Sequence, residues 1–289
     1  MKTKGDADMN MKRKILDLIY HILVLCGAFI MIYPLLWMIF SSFKPTDYVL
    51  PTAKQLIPSV WTLDNYKTGW KGFMGYTFAT FFKNSFFISI TSTFGTLISS
   101  SLVAYALQRL DFKLKKPLFI LVLSTMMLPP QILMIPQYMW FRRLGWVGTY
   151  FPMILPYFFA IQGFFVYLIM NFIQGVPKEL DEAAKIDGCS FYGIYFRIIL
   201  PLIVPAMITS AIFSFIWRWD DYLSALLYVT KPEMRPISLA LKLFNDPSAG
   251  SDIGATLAMS TLSIVPATIL FLIFQKSLVE GIASSGIKG

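Results

Sequence analysis

The sequence predicts an all-α integral membrane protein with six transmembrane helices. Three observations carry that expectation. First, 56% of the 289 residues are hydrophobic and only 14% are charged, with a mean hydropathy of +0.62. A soluble domain of this length carries roughly 25% charge, so there is too little polar material here to cover a globular surface. Second, several apolar runs exceed the roughly 18 residues that mark a membrane span. Third, any such span must be helical, because an isolated strand would leave its backbone donors unpaired in lipid.

Taken in order, the first run, Leu18–Phe40, is too long for a secretory h-region and has no small-residue cleavage site behind it, so it reads as a retained helix. Five further spans follow at Ser85–Leu107, Leu118–Met139, Tyr150–Ile173, Leu202–Thr230 and Ile253–Phe274, each long enough to cross ~30 Å of hydrocarbon. The second is rich in hydroxyls, with Ser89, Thr91, Ser92, Thr93, Thr96, Ser99, Ser100 and Ser101. Such a stripe suits either close helix packing or a wet lumen. Prolines interrupt the third span (Pro129, Pro130, Pro136), the fourth (Pro152, Pro156) and the sixth (Pro266). They imply bent helices whose freed carbonyls find protein neighbours or a cavity, although prolines are also ordinary in membrane helices.

Lysine and arginine set the orientation. Lys12, Arg13 and Lys14 flank the first span, and Arg109, Lys113, Lys115 and Lys116 lie between the second and third. Dense clusters in short flanking loops mark the cytoplasmic side, which places both termini inside the cell membrane; Arg142 and Arg143 fall on the outside against the trend. The resulting organisation is a cytoplasmic segment 1–17, a first helix 18–40 and an external loop 41–84. A membrane core 85–274 follows, containing a cytoplasmic loop 174–200, and then a cytoplasmic tail 275–289.

The net charge of +9 fits contact with anionic lipid better than nucleic acid, since no soluble domain is left to bind the latter. Cys26 and Cys189 form no disulfide or metal framework, and His21 is the sole histidine. No metal ligand set or catalytic nucleophile emerges, which argues against a membrane enzyme. A chain without any Gly-Lys dipeptide holds no GxxxxGK[ST] phosphate loop, so it binds no ATP of its own. An ion-driven secondary transporter would place acids near mid-membrane and show internal repeats. No repeat is visible, and spans one to four and six have no acidic residue in their cores.

The loop between spans four and five is built differently from the other loops. Pro177 suits a helix's first turn, Glu179, Asp181 and Glu182 favour the positive end of its dipole, and Lys178/Glu182 and Asp181/Lys185 stand at i,i+4. Gly188 can end the helix in the left-handed conformation, and a second helix from about Ser190 would return to the membrane at Pro201. Ala183 and Ala184 leave a shallow face that another protein could approach. A solvated connector with good helix chemistry is the plainer alternative.

The pattern Glu182-Ala183-Ala184, Gly188 and Ile198-x-Leu200-Pro201 resembles the signature loop of the membrane subunits of bacterial ABC importers. The resemblance runs from about Phe82 to Gly289. It narrows to carbohydrate importers of the maltose type through Met127-Leu128-Pro129-Pro130, Leu155-Pro156-Tyr157 and Val176-Pro177-Lys178-Glu179-Leu180. The tail, Gln275 to Gly289, is similar to that of the smaller of the two paired permeases, whose end reaches toward the ATPase dimer.

The resemblance implies the type I importer permease fold and an ATPase-coupling role for Glu182, Ala183, Ala184, Asp187, Gly188, Leu200 and Pro201. It also implies four kinds of partner: a cytoplasmic ATPase dimer carrying ATP and Mg, a second permease in a heterodimer, an external solute-binding protein, and a sugar or oligosaccharide as substrate. Where the family commonly has Trp-Asn-acidic in the fifth span, this chain has Trp219-Asp220-Asp221. That stretch, with Trp217, Arg218 and Tyr222, is the one cluster of charge inside a span. Ionisable groups there are costly and usually face a wet cavity, which suits a substrate pathway or a gate. Equally, an interfacial belt of aromatics with a snorkelling arginine would give the same pattern.

Overall fold

The computed structural model describes residues 4–245 and 252–286, with side chains over 13–245 and 252–275. The expected ATPase-directed tail therefore lies, from residue 276 on, outside the described side chains. Among the described residues the regular structure is helical. In chain order the α-helices are α1 (Lys4–Ser41), α2 (Thr46–Val49), α3 (Asp64–Trp70), α4 (Phe78–Arg109), α5 (Lys115–Met127), α6 (Pro130–Arg143) and α7 (Phe151–Ile154). There follow α8 (Gly163–Gly175), α9 (Glu179–Ile186), α10 (Phe191–Ile194), α11 (Leu200–Leu202), α12 (Val204–Trp219), α13 (Tyr222–Tyr228), α14 (Ile237–Phe244) and α15 (Ile253–Gly286).

Four stretches are long and apolar enough to cross a membrane, Arg13–Ser41, Phe78–Arg109, Phe151–Gly175 and Ile253–Gln275, and counting each of two sharply bent pairs as one span brings the number to six. The third span thus bends at prolines the sequence had marked, whereas the fifth is broken where the sequence suggested a continuous helix. Between α5 and α6 the chain turns by 106°. Leu128 is extended (ψ 124°) because it precedes a proline, Pro129 is extended as well, and Pro130 restarts the helix at its first turn. The fifth span bends by 75° at Ile203, between Pro201 and Pro205, and stops at Trp219. The fourth span carries a 3-10 turn at Leu155–Phe159, followed by Ala160 at φ +50°. Arg142 and Arg143 occupy the last turn of α6, where cations complement the helix dipole.

The chain divides into two compact units, one of residues 4–69 with 252–262 and one of 70–245 with 263–286. In the first, α1 is exposed along its apolar length, as befits a helix facing lipid. Beyond it Lys44 is buried, its Nζ donating to the carbonyls of Thr52 (3.0 Å) and Gln55 (2.6 Å). Burial holds the Lys44 ammonium below its usual pKa. Asn65 donates to the carbonyls of Ser42 and Lys44, so this loop is a tied knot. Asp252 caps α15 by accepting from the Gly254 N–H at 2.8 Å, and it also binds the Thr46 hydroxyl.

The second unit is organised around α4, which packs against α8 and α12. Its hydroxyl stripe serves packing: Ser89, Ser92, Ser100 and Ser101 are fully buried, and so are Thr209, Ser210 and Ser214 on α12. Ser92, Thr96 and Ser99 donate to carbonyls four residues back (2.6, 2.9 and 2.8 Å). A lipid-embedded bundle gains little from hydrophobic burial, so small residues that let backbones approach carry the packing. Gly163 is the tightest such point among the helical glycines. A Cβ there would lie 2.3 Å from the Val122 carbonyl and 2.4 Å from the Thr125 hydroxyl. Gly163→Ala is expected to force α5 and α8 apart at a cost of ~1–3 kcal/mol. Thermal unfolding in detergent should show the loss, while Gly175→Ala, with nothing within 4 Å, stays at the wild-type midpoint.

Candidate functional site: the loop between the fourth and fifth spans

α8 ends at Gly175, and Val176 is extended (ψ 128°) because Pro177 follows. α9 then runs for eight residues with Glu179, Asp181 and Glu182 in its first turn. Its end is a Schellman motif: the Cys189 N–H donates to Ala184 (2.9 Å) and the Gly188 N–H to Lys185 (3.0 Å), with Gly188 at φ +78°. A Cβ on Gly188 would meet nothing within 4 Å, so glycine is required there by conformation and not by space. Ser190 starts the return by accepting from the Gly193 N–H at 3.2 Å. The returning limb passes through α10 and a π-helical turn, Tyr195–Ile199, to Pro201.

The loop has two faces. Glu182, Ala183, Asp187 and Gly188 point outward and are exposed, beside Ile186 at 86% exposure and Tyr192 at 75%. Ala184 turns inward, into a cluster with Ala104, Ile173, Ile194 and Ile199, so the two alanines of the pattern do different jobs. Asp181 also turns inward. The i,i+4 partnership expected with Lys185 gives way to a buried ion pair, Arg109 Nε to Asp181 Oδ2 at 3.3 Å, with side chains 3% and 10% exposed. Arg109 Nη2 donates further to the carbonyls of Ile173 (3.0 Å) and Val176 (2.5 Å), capping the end of α8. One turn back on α4, Tyr105 donates to the Phe191 carbonyl at 3.1 Å, and another turn back Ser101 meets the Tyr195 hydroxyl at 2.7 Å. Ser101, Tyr105 and Arg109 thus stand at i, i+4 and i+8 and hold both limbs of the loop. Reading Arg109 only as an orienting charge misses this. The signal was its spacing from two polar residues on one helix face.

The second group of candidate residues is dispersed. Trp217 packs with Phe164, Phe165 and Phe213. Trp219 is buried against Phe86 and Phe215 and donates to the Ser263 carbonyl at 3.0 Å. Asp220 is exposed at the break, and Tyr222 packs beside the cluster of Tyr228 and Leu239. Arg218 and Asp221 stay together at 3.2 Å and are mostly buried. Asp221 also caps α13 by accepting from the Ser224 N–H at 3.0 Å, and the Arg218 guanidinium lies over the Tyr157 ring, 4.3 Å from its centroid.

Bent membrane spans joined by a helical loop with one anchored and one open face define a multi-pass membrane protein. Residues 95–284 match the family of binding-protein-dependent transport system inner membrane components. The chain belongs to this family: it is the membrane-spanning permease component of an ABC importer, and ATP hydrolysis falls to a separate ATPase. It is 37% identical to the arabinooligosaccharides transport system permease protein AraQ of Halalkalibacterium halodurans, over 91% of this chain and 93% of that one. It is 37% identical to the probable ABC transporter permease protein YurM of Bacillus subtilis, over 89% and 84%. The trehalose/maltose transport system permease protein MalG of Thermococcus litoralis is 33% identical, over 94% and 99%. Among solved structures, a chain of a bacterial ABC transporter that imports the polysaccharide alginate shares the fold, with a TM-score of 0.80 at 23% identity, over 96% of this chain and 98% of that one.

Proposed function

We propose that this chain forms half of a translocation pathway for a sugar or oligosaccharide. A second, dissimilar permease completes the pathway, and an external solute-binding protein delivers the substrate. The two-faced loop carries the reading. Its outer face, with Glu182, Ala183, Ile186, Asp187 and Gly188, receives a cytoplasmic ATPase that binds ATP and Mg. Glu182 pairs with a basic residue there, and Leu200 and Pro201 lead the motion back into α12. Relatives named for arabinooligosaccharides and trehalose/maltose support the carbohydrate class. The lysine and arginine clusters that precede the apolar stretch of α1 and open α5 support termini in the cytoplasm, with the tail beyond Gln275 directed at the ATPase. The Arg218–Asp221 pair, bracing the break between α12 and α13, serves as a gate on the pathway.

Purification of the chain from its native membrane in mild detergent, followed by protein identification, tests this. Recovery of an ATPase and a second permease is the expected result. Recovery of the chain alone, with transport that survives ATP depletion and collapses with an uncoupler, would overturn it.

A further inference from the structure

We infer that Arg109 is a positioning residue that locks the partner-docking loop to α4, so that α4 moves with the loop as one body. The inference rests on the proposed function above and adds which helix receives the motion. Two links join α9 to the membrane helices along the chain, Val176–Lys178 on one side and the Gly188 turn on the other. The first is extended backbone and the second a single tight turn, so each alone is a narrow route for a push.

The Arg109 guanidinium bypasses the first link. It binds the last turn of α8 through the Ile173 carbonyl, the residue just after that helix through the Val176 carbonyl, and the first turn of α9 through Asp181. Tyr105 and Ser101 bypass the second by holding Phe191 and Tyr195 on the returning limb. A planar guanidinium spreads its donors over three nitrogens and so reaches acceptors on separate segments, whereas a lysine ammonium gathers its three donors on one nitrogen. Burial of the ion pair makes the grip hard to replace by water. Farther along α4, about 15 Å from Arg109, Ser99 shares its single hydroxyl proton between the Gly95 carbonyl and the Tyr157 carbonyl (2.9 Å), and Tyr157 carries Arg218. A displacement of α4 therefore arrives at the charged pair that braces the fifth span.

The test uses the complex purified with its ATPase, with Cys26 and Cys189 replaced by serine. Spin labels are placed at Glu179→Cys, exposed at the start of α9, and at Ile90→Cys, exposed on α4. With Arg109 intact, adding ATP and Mg should leave the distance between the labels unchanged. In Arg109→Lys the distance should shift or broaden on adding ATP, although the ATPase is recovered in the same yield because the docking face is untouched. Tyr105→Phe, which removes a single hydroxyl, should show a smaller change of the same kind. A role limited to stability would lower yield and melting temperature and leave the nucleotide response of the distance unaltered. An equal response to ATP in the intact and Arg109→Lys proteins would overturn the clamp alone. Absence of any ATPase from the wild-type preparation would overturn the clamp and the function it rests on.

Discussion

Glu182→Arg should all but abolish recovery of an ATPase with this chain while leaving the chain's own melting temperature unchanged. The side chain is exposed on the outer face of α9 and, among the described residues, holds no partner that the fold depends on. Substitutions of that kind usually stay within about 0.5 kcal/mol of wild type. In the proposed docked complex the same carboxylate would pair with a cation, and breaking such a pair costs ~2–5 kcal/mol, roughly 30-fold or more in affinity. Gly188→Val should also weaken recovery, by a different route. At φ +78° any L-residue is strained by ~1–2 kcal/mol, and a β-branched one more so, so the Schellman turn opens and α9 re-aims. Gly188→Asn, which tolerates the left-handed region, should retain most of the interaction. Undiminished recovery in a Glu182→Arg/Gly188→Val double variant would sink the docking mechanism.

Arg218→Met should destabilise the chain by ~3–5 kcal/mol, because it strands the Asp221 carboxylate in a mostly buried position. Asp221→Asn should cost less. The amide still accepts from the Ser224 N–H, and Arg218 keeps its place over Tyr157. The double variant should recover part of the loss, with a coupling of about 0.5–3 kcal/mol between the sites. Thermal unfolding in one detergent reads all three. Strict additivity would mean that Arg218 is held by Tyr157 and not by Asp221.

Much of this was legible in the chain. Apolar runs announce spans because lipid offers no hydrogen bonds to an exposed backbone, so composition and length alone suffice. The Gly188 turn and the Ser190 cap are local chemistry, decided within six residues, and appear where the pattern placed them. Prolines 129 and 130 marked a bend in the third span, while the break at Ile203 in the fifth went unmarked; both angles depend on what each half-helix packs against, which only the tertiary structure sets.

The sequence by itself therefore determined the membrane class, the helical loop and its exposed glutamate, each a matter of composition or of neighbours along the chain. Only the tertiary structure decided what the buried polar groups do. Ala183 and Ala184 are adjacent and identical, yet they face opposite ways, because a helix turns about 100° between successive residues. Asp181 could pair locally with Lys185, but it meets Arg109 seventy-two positions earlier in the chain. A desolvated guanidinium outbids a solvated ammonium for a carboxylate, and which of the two is desolvated is set by packing.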